Sequence, residues 1–403
     1  MSDVVGTKKL NGIIFLNFII MLAVTFFMRT TTNMLMTTIP VLSKFVINAS
    51  VLQVGIAATL YSIGALFSGL FINGRVSTRN TPRVLSISLL IMSLTTPFFY
   101  FSVNMMEVYI LSIIDGISFG TMMPLMLTLV NILSDQGNKD RAIALYTSSL
   151  SLSLIFGTLF EGSILSYLKI SIRDIFLLFT LLSILATILM FILLYNLHIE
   201  KKIEKIIKFR DLINKIPDLF KNKDFNLALT GNLSYSFPFI IILTYGSIIG
   251  KNYSSISPSV FFYLLGVFFV VSFITRVCMV IMSPINNKKL LFIASFILTL
   301  TGYVVFSISS SELYFIIAFI MLGIPHGSIY PLSTTYISGS INKEDLNMAY
   351  SIFGLVGNMI FFVTPFLFGV FTHMVNIRFA VYSFLLPMLI LMILSITYIY
   401  RRK

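Results

Sequence analysis

Residues 175–197 read IFLLFTLLSILATILMFILLYNL, an unbroken apolar run without one charged residue. A helix needs roughly 20 mostly apolar residues to cross the hydrocarbon layer of a bilayer. A spanning strand would need only about ten, with alternating polarity. This run is long and continuous, so it is read as a transmembrane helix. Backbone N–H and C=O groups find no water in lipid, which leaves helices or closed barrels as the only spanning structures. Working outward from this run, the same reading gives twelve segments: 13–38, 51–72, 84–102, 108–133, 143–168, 175–197, 226–249, 259–283, 289–308, 313–338, 348–372 and 379–400.

Composition agrees with the segments. Of the 403 residues, 57% are hydrophobic and only 11% charged, against about 25% in soluble domains. The net charge of +13 could suggest nucleic acid, but the charges fall in the gaps between apolar runs. Membrane topology explains them better, and no nucleic-acid partner is expected. With the N-terminus inside, the inner segments hold 21 Lys and Arg and the outer loops hold 5 (Lys44, Lys169, Arg173, Lys251 and Arg378). The expectation is a multi-pass protein of the cytoplasmic (plasma) membrane, with both termini cytoplasmic and no cleavable signal peptide. The longest gap, 198–225, is basic with amphipathic patches. It reads as a cytoplasmic linker between a six-helix bundle over 1–197 and a second over 226–403.

The two halves repeat. Gly116, Gly120, Pro124 and Leu125 in the fourth segment match Gly323, Gly327, Pro331 and Leu332 in the tenth, each at an offset of 207 residues. The same offset carries Ala142 onto Ala349 and Gly162 onto Gly369. A constant offset over two helices and the loop between them indicates internal duplication. Parallel six-helix repeats are a known transporter architecture, with the substrate site at the midplane between the halves.

The layout resembles the major facilitator superfamily over nearly the whole chain. Gly69 fits the glycine of that family's loop motif after the second helix, where Asn73 takes an Asp position and Arg75 follows. Arg276 fits the corresponding motif after the eighth helix, but Val280 and Pro284 replace its Gly and Asp. The stretch Gly323-Ile-Pro-His-Gly-Ser-Ile-Tyr-Pro331 is similar to a Gly-x-x-x-Gly-x-x-x-Pro pattern of many members. Gly157 and Gly162 match the glycine-rich fifth helix of exporters, with Thr158 at the Pro position. The resemblance implies an all-α membrane fold of two pseudo-symmetric six-helix bundles, with helices 1, 4, 7 and 10 lining a central cavity. It also implies gating or structural roles for Gly69, Asn73, Arg75 and Arg276.

Charges inside a membrane cost about 3 kcal/mol at the helix centre and mark functional candidates. Arg29, Asp115 and Glu161 sit at similar depth in the outer half of the first, fourth and fifth segments, roughly 10–13 Å below the outer ends. They are expected to form one network, Arg29 lying between the two acids. Such a network either couples transport to protons or is a static ion pair. His326, between Pro325 and Gly327 in a weakened helix, is a further titratable candidate. Asn33, Asn232, Tyr235, Tyr330 and Asn358 are candidate cavity-lining groups that either meet solute or make ordinary interhelical contacts.

Several chemistries lack their residues. Gly246-Ser-Ile-Ile-Gly250-Lys251-Asn252 has the wrong spacing for a phosphate-binding loop. Three scattered histidines and the single Cys278 give no metal site, and no cofactor is expected. No catalytic cluster suggests an enzyme. The expected function is secondary transport of a small organic solute by alternating access, coupled to protons or another ion. The lean is to efflux by a monomer in the lipid bilayer. Nutrient uptake by a symporter or uniporter is the alternative, and a solute sensor that does not transport is the reading from another class.

Overall fold

The computed structural model describes residues 2–134, 139–197, 216–282, 287–342 and 345–400. Residues 198–215, most of the basic linker with amphipathic patches, lie outside them. Among the described residues there is no strand, and twelve helices are long and apolar enough to span a bilayer. They are α1 (Phe15–Phe45), α2 (Val51–Phe71), α3 (Thr78–Phe101), α4 (Met105–Leu133), α5 (Ala142–Leu168) and α6 (Ile172–Asn196). The remaining six are α7 (Lys223–Ser254), α8 (Pro258–Ile281), α9 (Lys288–Ile308), α10 (Glu312–Ser340), α11 (Met348–Met374) and α12 (Ile377–Tyr400).

Short polar residues start these helices by satisfying amide groups that have no intrahelical acceptor. The Ser171 hydroxyl accepts from the Asp174 amide, and the Asp174 carboxylate accepts from the Ser171 amide, closing a capping box on α6. Asn104, Ser257, Asn287 and Asn376 cap α4, α8, α9 and α12 in the same manner. Two helices run further than hydropathy suggests. The helix of α1 continues past 38 to Phe45, where Lys44 donates to the Ala49 carbonyl at 3.1 Å. The α7 helix continues past 249 to Ser254 and ends on Ser255 in the left-handed conformation, with φ 53°. A backbone ladder needs no lipid to persist, so apolar length underestimates helix length.

By its contacts the chain forms two compact units. The first comprises Met1–Leu35, Ile63–Gly157 and Ile170–Ile206; the second comprises Met36–Ser62, Thr158–Lys169 and Ile207–Lys403. This division by contact differs from the division of the sequence into halves, because α1, α2 and α5 each pass from one unit to the other. The first unit has a core of methionine and leucine: Met21, Met28, Leu89, Met92, Met126 and Met190 are buried together. The second is aromatic, with Phe261, Phe268, Phe292, Phe306, Phe315, Tyr245 and Tyr303 fully buried. In lipid such packing acts through close van der Waals contact rather than hydrophobic expulsion. The opposite faces carry exposed apolar residues, as on α6, where Leu181, Ile184, Leu185, Ile188 and Ile192 share a helical stripe suited to lipid.

Candidate functional site

Both expected acids are buried, and each takes its hydrogen bond from a threonine. In the first unit, the Thr95 hydroxyl on α3 donates to Asp115 Oδ1. In the second, Thr38 on α1 donates to Glu161 Oε1 at 2.5 Å. Asp115 Oδ2 and Glu161 Oε2 are buried with no hydrogen-bond partner among the described residues. At Asp115 the structure puts Thr95, not Arg29, on the carboxylate. Glu161 belongs to a different compact unit from Arg29 and Asp115. The Arg29 guanidinium lies over the Phe119 ring, 5.5 Å from its centroid and one helical turn beyond Asp115. Equal depth along separate helices says nothing of which face each side chain occupies. Asp115 faces α3, and Glu161 faces the far end of α1. Asn33, one turn from Arg29, is buried in the first unit.

The donor to Glu161 belongs to a threonine-rich helix, α1. Thr25, Thr30 and Thr31 donate back to Met21, Phe26 and Phe27 carbonyls one turn earlier, so these three hydroxyls are satisfied inside their own helix. Thr38 instead bonds a carboxylate, that of Glu161.

The repeated glycines make repeated seams. In the first unit, a Cβ at Gly120 would collide with the Ala65 backbone and the Ser68 hydroxyl, so α2 and α4 meet backbone to backbone. In the second, a Cβ at Gly327 would fall 2.5 Å from the Ser272 carbonyl oxygen and 2.7 Å from Thr275 Cβ, on α8. Residues 65, 68 and 120 and residues 272, 275 and 327 are related by the offset of 207. A second exchange lies within the second unit. A Cβ at Gly162 would sit 3.1 Å from the Ser259 carbonyl oxygen, and one at Gly369 would sit 3.0 Å from Leu52 Cα. The offset maps Gly162 onto Gly369 and Leu52 onto Ser259, so the α5–α8 and α2–α11 contacts are counterparts. Around them Tyr263 donates to the Ser163 hydroxyl at 3.1 Å, and Ser62 and Thr59 donate to the Phe361 and Phe362 carbonyls at 3.0 and 3.1 Å. Tyr245, counterpart of Thr38, donates to the Pro365 carbonyl at 2.6 Å and lies 4.3 Å from the ring of Phe368, counterpart of Glu161.

In the second unit the structure brings Tyr235 and His326 together, and Thr275, the residue before Arg276, packs on Gly327 beside them. His326 stacks on Phe239 with centroids 4.4 Å apart and 28° between planes. Phe268 is 5.0 Å away and Tyr235 5.6 Å. Arg276 lies within electrostatic reach of Tyr235 and Tyr330. Tyr330 is largely exposed and packs on Phe353 at 5.9 Å. Asn232 is half-buried beside Gly357, and Asn358 is exposed on α11. Near the loop after α2, Gly69 is exposed with open space where a Cβ would go. The Asn73 amide donates to the Gly120 carbonyl at 2.8 Å, which ties that loop to the α2–α4 seam, and Arg75 is exposed in the following 3-10 turn. A separate cleft of 240 Å³ lies at the ends of α7 and α10, lined by Asp218, Asn222, Ser340, Asn342 and Asp345.

Sequence reasoning missed Thr38, Thr95 and Phe239. Thr38 had a signal in the threonine-rich stripe of α1, and Phe239 had one in its spacing, one turn from Tyr235.

A duplicated bundle of twelve spanning helices with glycine seams defines a polytopic membrane protein of the transporter type. The chain belongs to the Major Facilitator Superfamily, whose sequence profile matches residues 21–282 and 227–403. It is therefore placed in a family of secondary transporters rather than enzymes. Among solved structures, a bacterial homologue of the human lysosomal transporter Spinster, inward-facing and unoccupied, superposes with a TM-score of 0.72. The two are 12% identical over 96% of each chain. The nucleoside transporter NupG superposes with a TM-score of 0.72 at 12% identity, over 96% of this chain and all of that one. At that identity the likeness establishes the fold. Curated proteins gave no significant sequence match.

Proposed function

We propose that this chain exports a small organic solute by alternating access, driven by protons carried at Glu161. The chain works as a monomer in the plasma membrane with both termini cytoplasmic. The observation that carries the reading is the setting of Glu161. It is fully buried, bonded to Thr38, and has one oxygen without a hydrogen-bond partner among the described residues. It also sits one residue from Gly162, where α5 meets α8. With the orientation set by Lys and Arg, this junction and its α2–α11 counterpart lie toward the outer side. When the junction opens, Glu161 gains water; when it closes, the carboxyl is sealed against Thr38. Proton occupancy and gate position are thereby linked. Asp115, held by Thr95 of α3, serves as a staple between neighbouring helices. An aromatic or otherwise apolar solute suits the phenyl-rich interior of the second unit better than a sugar does.

The test uses purified protein in liposomes with an internal pH dye and pooled organic solutes. Wild type moves protons in response to a solute gradient. Glu161→Gln still equilibrates labelled solute but no longer couples it to protons, and Asp115→Asn keeps the coupling. Coupling that survives Glu161→Gln overturns the assignment. Uptake in place of export reverses the direction, and solute binding without flux makes the protein a sensor.

A further inference from the structure

The aromatic group around His326 has a composition that ordinary packing does not require, and it lies wholly within the second unit. His326 and Phe239 stack at 4.4 Å, and both are only partly buried, as is Phe361, whose ring meets Phe239 edge-on at 6.1 Å. These three form an open face. Tyr235 and Phe268 close it from behind and are buried. Tyr235 is 6% exposed, and its hydroxyl has no hydrogen-bond partner among the described residues. A buried hydroxyl without an acceptor costs about 1–3 kcal/mol, so this group is suited to meet a ligand atom. Arg276 stands next to Thr275, which packs on Gly327 beside His326, and it acts electrostatically on Tyr235.

Charge selects the ligand. Within α7 to α12 the acidic residues are Asp224 and Glu312, both in first turns at helix ends. Arg276 and His326 are the basic groups set deeper in these helices. Glu161, the buried acid of this unit, is engaged by Thr38. Aromatic rings alone would also suit an ammonium ion through their π faces. Here such a cation would meet a guanidinium and an imidazole in a medium that screens poorly. An anion meets opposite charge and a hydroxyl donor. A flat ring extends the existing stack on Phe239 and His326.

We infer that this site takes an aromatic carboxylate or a similarly flat organic anion, its ring stacked on Phe239 and His326 and its anionic group held by Arg276 and the Tyr235 hydroxyl. The inference rests on the transport reading, whose solute it names.

The probe is 2-naphthoate, titrated against the full chain in detergent. The protein contains no Trp, so naphthyl fluorescence is read without an indole background. The comparators are naphthalene-2-methanol, 2-naphthylmethylammonium and cyclohexanecarboxylate, measured by competition. 2-Naphthoate binds at least tenfold tighter than each of them. Tyr235→Phe removes one oxygen and keeps the ring packing; it weakens 2-naphthoate about tenfold and leaves the ammonium unchanged. Phe239→Leu removes the preference for naphthoate over cyclohexanecarboxylate. The inference is overturned if the ammonium binds tighter, if the saturated acid binds equally well, if Tyr235→Phe changes nothing, or if 2-naphthoate does not bind. Counterflow of 2-naphthoate in liposomes separates the two readings. Binding without exchange leaves the site assigned and removes transport. Proton-coupled flux of other solutes without naphthoate binding keeps transport and removes this site.

Discussion

Thr38 and Thr95 do the same local chemistry for two acids with different assignments, which makes them a controlled pair. A hydrogen bond to a charged group contributes about 1.5–3 kcal/mol, and losing it strands a buried carboxylate. Thr38→Val keeps the shape of the side chain and removes the donor to Glu161. The expected result is a loss of solute-driven proton flux of about ten- to a hundredfold, because each 1.4 kcal/mol is a factor of ten. Thr95→Val removes the donor to Asp115. There the expected result is a lower melting temperature in detergent with the proton-to-solute ratio unchanged. Equal effects of both substitutions on coupling would return Asp115 to the proton path. The offset of 207 supports separating them. Asp115 has Leu322 as its counterpart and Glu161 has Phe368, so neither acid is needed to build a bundle of this kind. The Thr38–Glu161 contact is matched in the other half by Tyr245 against Phe368 and Pro365, a purely structural contact.

At the scale of helices, the glycine seams carry the pairing. A methyl group at Gly327 would press on the Ser272 carbonyl, and one at Gly120 on the Ala65 backbone; neither neighbour can swing aside. Overpacking of this sort costs about 1–3 kcal/mol. Gly120→Ala and Gly327→Ala should each lower the melting temperature measurably. Gly69→Ala meets open space on an exposed helix face and should be neutral or stabilising by up to about 1 kcal/mol through helix propensity. A thermal-shift series in one detergent checks all three, and a destabilising Gly69→Ala would show that its open surface is covered in the membrane. These seams were legible in the sequence because a glycine recurring at a fixed offset leaves a mark that packing alone does not erase. The twelve spans were legible for a similar reason, since lipid imposes length and apolarity together. The site was less legible. The acids announced themselves by their cost in a membrane, but their partners depend on the face each helix presents, and α1 offers threonines on several. Among 39 phenylalanines nothing in composition singles out Phe239; only the crossing of α7 and α10 places it against His326.

For the whole molecule, the telling feature is that α1, α2 and α5 begin in one compact unit and end in the other. In the proposed mechanism the second unit as described must come apart in each cycle, because the ends of α2 and α5 pack there on α11 and α8. The two contacts are counterparts, so each should be sufficient to hold the closed form. A disulfide needs Cβ atoms about 3.5–4.5 Å apart. A Cβ at Gly369 would stand 3.0 Å from Leu52 Cα, and one at Gly162 3.1 Å from the Ser259 carbonyl oxygen, and this close backbone approach makes them the pairs to cross-link. The exposed thiol of Cys278 is first removed as Cys278→Ser to keep the readout clean. Oxidation of Leu52→Cys with Gly369→Cys should then stop flux in liposomes, and a reductant should restore it. Gly162→Cys with Ser259→Cys should do the same. Flux that persists through complete cross-linking at either pair would exclude opening along that seam. A block at one pair and free passage at the other would mean that the two seams open separately, through bending of single helices, because rigid rocking of one bundle against the other cannot release one contact while its counterpart stays closed.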